Sequence, residues 1–423
     1  VAVAGASGFV GSRLLPVLAR RFRVRALGRD AREGADGIEW RACDLFSATS
    51  AQAALAGADV AVYLVHSMMP SARLFQGSFH DTDLLLADNF ARACARHGVR
   101  QIVYLGGLVP ASGYVSPHLA SRQELEGVLA ASGVPVTCLR AGLVVGPGGS
   151  SFEILRTLVQ RLPWMVLPRW TQSRGQAVFI DDVVDVIAAS ILDPAFLGQT
   201  LDVVNGEVLT YERMLRVTAA VLGKAPTMVR VPVASTGFSK RWVQFFGRST
   251  YELVSPLIDS LLCDLNEARP RPEILERLRF KSFEAMLAET LRREGPRPLP
   301  APARRRRPPD VTVRSVQRMP ALPEHDASFI ASEYMAWLPR FFRAVIRVRP
   351  IEGRRVVFAL AFLPLPLLVL ELIPDASDGN REKFHIVGGA LSRTTDTGWL
   401  EFRQLAGRRY TIAAIHGFVP RLP

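Results

Sequence analysis

Residues 1–21 read VAVAGASGFVGSRLLPVLARR. A short apolar run (Val1 to Ala4) leads into Gly5, Gly8 and Gly11, spaced G-x-x-G-x-x-G, and the run SRLLPVLARR that follows has the apolar spacing of a helix. A strand, a glycine turn and a helix in that order make a cradle for a pyrophosphate. Glycine permits the tight turn and the close backbone approach, and the free N–H groups and dipole of the helix start attract phosphate. The loop residues Ser7, Phe9 and Val10 fall between the glycines and share that cradle. The stretch therefore predicts a dinucleotide site.

The next strand ends in RALGRD (25–30), with Gly28 and Arg29 where an acidic residue would hold the adenosine ribose. Arginine suits a 2′-phosphate, so NADP(H) is the expected cofactor, and Asp30, one or two residues late, leaves NAD open. After a third strand, ACDLFS (42–47) places Asp44 and Leu45 where the adenine would lie.

Working outward, short Val/Ile/Leu runs at Val24 to Leu27, Val60 to Val65, Gln101 to Leu105 and Val136 to Leu139 alternate with helical patterns such as DLLLADNFARACARHG (83–98), which stops on Gly98. Such alternation predicts an α/β fold, a doubly wound parallel sheet of Rossmann type covered by helices on both faces. The expected organisation is residues 1–294 as a nucleotide-binding domain, with a small, mainly helical substrate lobe mostly within 149–294. A Pro/Arg-rich linker follows at 295–310 (GPRPLPAPARRRRPPD), and a C-terminal α+β domain at 311–423. The net charge of +13 is uneven, since residues 296–423 carry 20 Lys and Arg against 11 Asp and Glu. An anionic partner is expected there before anywhere else. WLPRFFRAVIRVRP (337–350) fits peripheral membrane contact, whereas the four linker arginines read as solvated and nucleic acid is not the expected partner.

The motifs GASGFVG, CDL, LRAGLVVGPG and VFIDDVVDVI resemble the atypical and extended short-chain dehydrogenase/reductase superfamily over roughly residues 1–290. The NAD(P)H-binding, NmrA-like and complex I 39-kDa-subunit-like branch is the most similar. YLVHSM, YLGGL and SPHLASRQE resemble bacterial oxidoreductases with an appended C-terminal domain. The resemblance implies a Rossmann fold, a cofactor ribose bordered by Val65, His66 and Ser67, and a nicotinamide near Arg140 to Pro147.

Superfamily reductases carry a Tyr and a Lys four residues apart on one helix and a Ser after the preceding strand. The Lys lowers the Tyr pKa, and the phenol passes a proton while hydride moves. Here the aligned helix pair is His118 and Arg122, and Gly106 with Gly107 stands at the serine position. Two readings stay open. In the first, His118 is a general acid or base and Arg122 anchors the ribose or a phosphate. In the second, His118 caps the helix, Arg122 makes a structural or cofactor contact, and no carbonyl is reduced. Tyr114, four residues before His118, could swing in as a substitute proton donor, but it reads first as part of the Gly- and Pro-flanked loop PASGYVSP. Trp164, Trp170, Trp242, Phe245 and Phe246 could line an apolar pocket or pack a core.

Asp181 and Asp182 read as a helix N-cap beside a strand end, and His385 and His416 lack ligand spacing, so no metal is expected. Cys43, Cys94, Cys138 and Cys263 are far apart and read as reduced core thiols of a cytoplasmic protein. The run Val356 to Ile373, broken by Pro364 and Pro366, reads as paired strands rather than a membrane span. No signal peptide is expected among these residues, and a leader ahead of Val1 stays open. The expected protein is an NADP(H)-binding reductase or dehydrogenase acting on an apolar small molecule. A non-catalytic NAD(P)H-sensing protein is the alternative, and an NAD-dependent epimerase or isomerase the weaker one.

Overall fold

Seven parallel strands, in the order β11-β7-β6-β4-β1-β2-β3, form the sheet that carries the glycine loop in the computed structural model. The structure describes residues 1–29, 32–34, 36–66, 74–110, 113–231, 260, 262–265, 267–279, 281–294, 313–319, 346–351, 355–360, 366–374, 381–388 and 397–416. The strands are β1 (Ala2–Ala4), β2 (Val24–Gly28), β3 (Ile38–Ala42), β4 (Val60–Tyr63), β6 (Gln101–Gly107), β7 (Val136–Ala141) and β11 (Thr200–Val203). Helices α1 (Gly11–Ala19), α2 (Ala48–Leu55), α3 (Phe79–Arg96), α4 (Pro117–Ala130) and α6 (Ile180–Ala189) cover it.

Strand alternation sorts the core into two layers. Val3, Ala26 and Val62 face α1 and α6, joining Leu14, Leu18, Val183 and Ile187. Ala2, Ala4, Ala61 and Tyr63 face the other way, joining Ala51 of α2, Leu84 and Phe90 of α3, and Leu125 of α4. β1 lies between β2 and β4, so the connections leaving β1 and β4 diverge to opposite sides. That divergence opens a crevice at the carboxyl ends of the strands, where doubly wound sheets hold their ligands.

Residues beyond β7 build the lobe. β8 (Leu143–Val145), β10 (Arg174–Phe179) and β12 (Val208–Thr210) form one small sheet, and β9 (Trp164–Leu167) pairs with β13 (Thr227–Arg230) in another. Around them pack α5 (Ser150–Arg161), α7 (Tyr211–Val221), the short α8 (Pro272–Leu275) and α9 (Phe283–Glu294). The end of α9 returns to the nucleotide loops: Glu294 Oε1 accepts from Gly148 N at 3.2 Å, and Arg293 donates to both oxygens of Asp181 at 3.0 and 2.7 Å.

The chain divides into two compact units, Val1–Met69 with Asp83–Pro300, and Pro70–Thr82 with Ala301–Pro423. The second unit is not one continuous stretch. Its eight-stranded sheet runs β15 (Ile346–Ile351), β16 (Arg355–Leu360), β17 (Pro366–Pro374), β18 (Arg381–Gly388), β19 (Thr397–Leu405), β20 (Arg408–His416), β14 (Val313–Met319) and finally β5 (Leu74–Gln76). All neighbours are antiparallel except β14 and β5, which pair in parallel with Val313 opposite Leu74. Asp81, in the first turn of α3, belongs to this unit; it accepts from Tyr410 Oη at 2.9 Å and Arg318 Nε at 2.8 Å. The apolar run after Val356 is the paired strands β16 and β17, and no helix among the described residues is long and apolar enough to cross a membrane. The linker at 295–310 and most of 337–350 lie outside the described residues.

Candidate dinucleotide site

The glycine loop is fixed by its own close contacts. Gly5 has φ of 81°, and a Cβ there would stand 2.8 Å from the Leu64 carbonyl oxygen. At Gly11 a Cβ would stand 2.4 Å from the Gly5 carbonyl oxygen, so no side chain fits. Gly8 differs: it closes the turn by donating to Gly5 O at 3.0 Å and faces solvent beside the exposed Ser7. Val10 is the N-cap of α1 and supplies no side-chain cap, which leaves the helix start open toward a ligand. Phe9 packs beneath Gly146 and Gly149. Arg13 pins the loop by donating to Phe9 O at 2.7 Å and to Pro147 O. These glycines form a cradle that fits a dinucleotide pyrophosphate.

At the adenosine end, Arg29 follows β2, is exposed, and has no hydrogen bond or ion pair among the described residues. Asp30 lies outside them. Asp44 Oδ1 accepts from Phe46 N at 3.1 Å, closing a turn after β3. Leu45 is buried in the layer under α2 and α3, and its carbonyl accepts from Asn89 Nδ2 at 2.8 Å.

At the other end of the crevice the strands deliver a cluster of polar groups. Val65 and His66 follow β4, and Ser67 lies outside the described residues. The His66 ring stacks on that of His118, with centroids 5.5 Å apart and planes 4° from parallel. His66 Nδ1 is 3.7 Å from Oδ2 of the buried Asp83 on α3. His118 is only 9% exposed. Burial, then the Arg122 charge one helical turn away, pushes its pKa down to about 4. His66 keeps 35% of its side-chain area accessible, yet the protein packed around it disfavours its cation. Burial, Arg122 and His118 together hold it well below the usual histidine range. Both rings are neutral at neutral pH.

Arg122 is 7% exposed and makes no ion pair with any carboxylate among the described residues. Its neighbour is the Tyr104 phenol: Arg122 Nη1 donates to Tyr104 Oη at 3.5 Å, and Tyr104 Oη donates to the Arg122 carbonyl at 3.4 Å. Behind Tyr104 lies Tyr63, fully buried, whose hydroxyl has no partner among the described residues.

Several expected roles change. Ser116, not His118, caps α4, accepting from Leu119 N at 3.2 Å, because Pro117 occupies the first helical position and His118 turns inward. Asp181 and Asp182 sit in the first turn of α6, whose N-cap is Phe179; Asp181 pairs with Arg293, and Asp182 is buried beneath Arg279. Tyr114 is exposed in its loop. Trp164 is 69% exposed on β9, while Trp170 packs against the core. Trp242, Phe245 and Phe246 lie outside the described residues. A cavity of about 330 Å³, lined by Leu108, Pro110, Gln123, Arg140 and Asp202 among others, flanks α4. Arg140 there is held by Glu126 at 2.7 and 2.8 Å. All four cysteines are buried and outside any disulfide, and no group of three His, Cys, Asp or Glu among the described residues is arranged for a metal.

Residues 5–194 match the model of the NAD(P)H-binding family. The front unit therefore has a Rossmann fold and is similar to NAD(P)H-binding proteins over those residues. The chain is 32% identical over 110 residues to auxiliary protein GraX of Staphylococcus aureus, a match that covers 25% of this chain and only 36% of that protein's length. It is 26% identical over 243 residues to ceramide reductase of Caulobacter vibrioides, covering 55% of this chain and 73% of the relative. The solved triphenylmethane reductase of Citrobacter sp., complexed with NADP(H), superposes with a TM-score of 0.52 at 18% identity, covering 69% of this chain and 99% of that one. At that identity the likeness is one of fold.

Proposed function

We propose that the front unit is the catalytic body of an NADP(H)-dependent oxidoreductase, a reductase or dehydrogenase acting on an apolar small molecule. The observation that carries this reading is Arg122, a buried guanidinium with no carboxylate partner among the described residues. A buried charge is stable only when paired, so the site is built for an anionic or strongly electronegative ligand. The nicotinamide half of the dinucleotide meets that need, with Gly5, Gly8 and Gly11 holding the pyrophosphate and Arg29 favouring a 2′-phosphate. The relatives named as reductases support the same class.

A bound nicotinamide supplies or accepts a hydride here. Arg122 would oppose negative charge that develops on the substrate oxygen, a neutral His118 would donate a hydrogen bond to it, and the resulting anion would take its proton from water. A site without a charged acid favours acceptors that spread their charge after reduction, such as conjugated carbonyls. One observation favours a second reading, a non-catalytic sensor. Residues 70–82, which lie in the chain between His66 and Asp83, supply a strand to the second unit's sheet, a covalent route by which occupancy could be communicated.

NADPH deuterated at nicotinamide C4, incubated with the protein and a cell metabolite extract and followed by mass spectrometry, separates the two. Label passing into a metabolite is the expected result and names the substrate class. Label retained on intact bound NADPH supports the sensor.

A further inference from the structure

The resemblance puts the pair Gly106 and Gly107 where superfamily reductases carry a serine, and the structure shows what fills the space beside Gly106. A Cβ built on Gly106 would stand 3.0 Å from a ring carbon of Tyr104 and 3.6 Å from its hydroxyl oxygen. Tyr104 and Gly106 are two residues apart on β6 and so share a face. The ring lies across the glycine, and its hydroxyl reaches the Arg122 guanidinium and carbonyl on α4. A serine at 106 and a tyrosine at 104 thus compete for one volume.

We propose that Tyr104 is the positioning residue of this site: its ring occupies the room left by Gly106, and its phenol holds Arg122 toward the nicotinamide half of the bound dinucleotide. The inference rests on the dinucleotide reading of the site and adds a residue to it. The pair has a physical logic. A guanidinium without a carboxylate needs another polar group to fix its orientation, and a neutral phenol does so without cancelling the charge the ligand needs. A carboxylate in that place would hold Arg122 more tightly and spoil it for an anion. The Tyr104 hydroxyl itself is kept protonated, because burial disfavours the phenolate more than the Arg122 charge favours it. It therefore remains a donor and acceptor and does not become a counter-ion. Tyr104 is fully buried and acts through Arg122.

The test compares wild type, Tyr104→Phe, Gly106→Ser and the double variant Gly106→Ser/Tyr104→Val. For each, dissociation constants are measured for NADPH and for 2′,5′-ADP, which lacks the nicotinamide half, together with thermal melting. Tyr104→Phe keeps the ring and should weaken NADPH about tenfold or more while leaving 2′,5′-ADP within about twofold, the scale of losing one hydrogen bond to a charged group. Gly106→Ser should lower the melting temperature and weaken NADPH, and adding Tyr104→Val should restore the melting temperature. If Tyr104→Phe leaves both affinities unchanged, or weakens both equally, Tyr104 does not position Arg122. Full tolerance of Gly106→Ser beside an intact Tyr104 overturns the shared volume. A wild type that binds neither nucleotide fails differently: it removes the dinucleotide reading itself.

Discussion

The imidazole rings of His66 and His118 lie face to face, 5.5 Å between centroids and 4° from parallel, at the carboxyl ends of the strands. The helix position that superfamily reductases give to a tyrosine is here half of a neutral histidine stack beside a charged arginine. That arrangement bears directly on acid stability.

His118 titrates near 4 in the folded protein and near 6.5 when unfolded. Between those values the unfolded chain binds a proton that the folded chain refuses, so stability falls as pH drops through this window. The slope from this group is at most about 1.4 kcal/mol per pH unit. Above pH 6.5 the group contributes no pH dependence. Melting curves from pH 7 down to 4 should fall more steeply for wild type than for His118→Gln, and parallel curves would show that His118 is not held neutral.

In the glycine loop the positions differ in kind. Gly11→Ala must displace the Gly5 carbonyl or the helix start and should lower stability by about 1–3 kcal/mol, the usual scale of overpacking. Gly8 is exposed, and a Cβ there would stand 3.1 Å from the Gly5 carbonyl oxygen, a milder clash than at Gly11; Gly8→Asp should therefore lower the melting temperature less than Gly11→Ala while abolishing NADPH binding through crowding and charge. Retained NADPH affinity in Gly8→Asp would refute the cradle.

Arg29 is exposed and unpaired among the described residues, as a group awaiting a 2′-phosphate should be. Arg29→Asp should cut NADPH affinity by about ten- to a hundredfold and improve NADH relative to it. An unchanged ratio of the two dissociation constants would place the 2′-phosphate elsewhere.

Truncation after Pro300 removes β14, β20 and the partners of Asp81. The seven-stranded sheet contains no strand from the second unit, so it should survive. Residues 70–82 lose the sheet that holds β5 and should become the first site of limited proteolysis. Cleavage elsewhere first would argue that this segment is held by other contacts.

The sequence made the glycine loop plain because the turn geometry itself demands Gly5 and Gly11, and strand alternation made the two core layers plain for the same steric reason. Other features stayed hidden for equally physical reasons. β5 is three residues, Leu74–Gln76, too short to show a period, and its partner lies more than two hundred residues later. Tyr104 reads as an ordinary strand residue, since its contact with Arg122 joins a strand to a helix across 18 positions. The histidine stack could not be foreseen from His118 alone, because His66 comes from a different strand end. The helix cap at Ser116 is legible in Ser before Pro, because Pro at the first helical position leaves the preceding Ser to accept from Leu119 N.

Arg122→Met offers the most direct measurement of the central claim, that a buried guanidinium without a carboxylate partner among the described residues is held ready for the dinucleotide. Thermal melting without nucleotide and the NADPH dissociation constant are recorded for wild type and variant. The account predicts opposite movements. The variant should melt higher, because an uncompensated buried charge is replaced by an apolar chain of similar length, and it should bind NADPH at least about tenfold more weakly. A variant that melts lower and binds NADPH as well as wild type would contradict it, because Arg122 would then be a structural residue already satisfied by the protein.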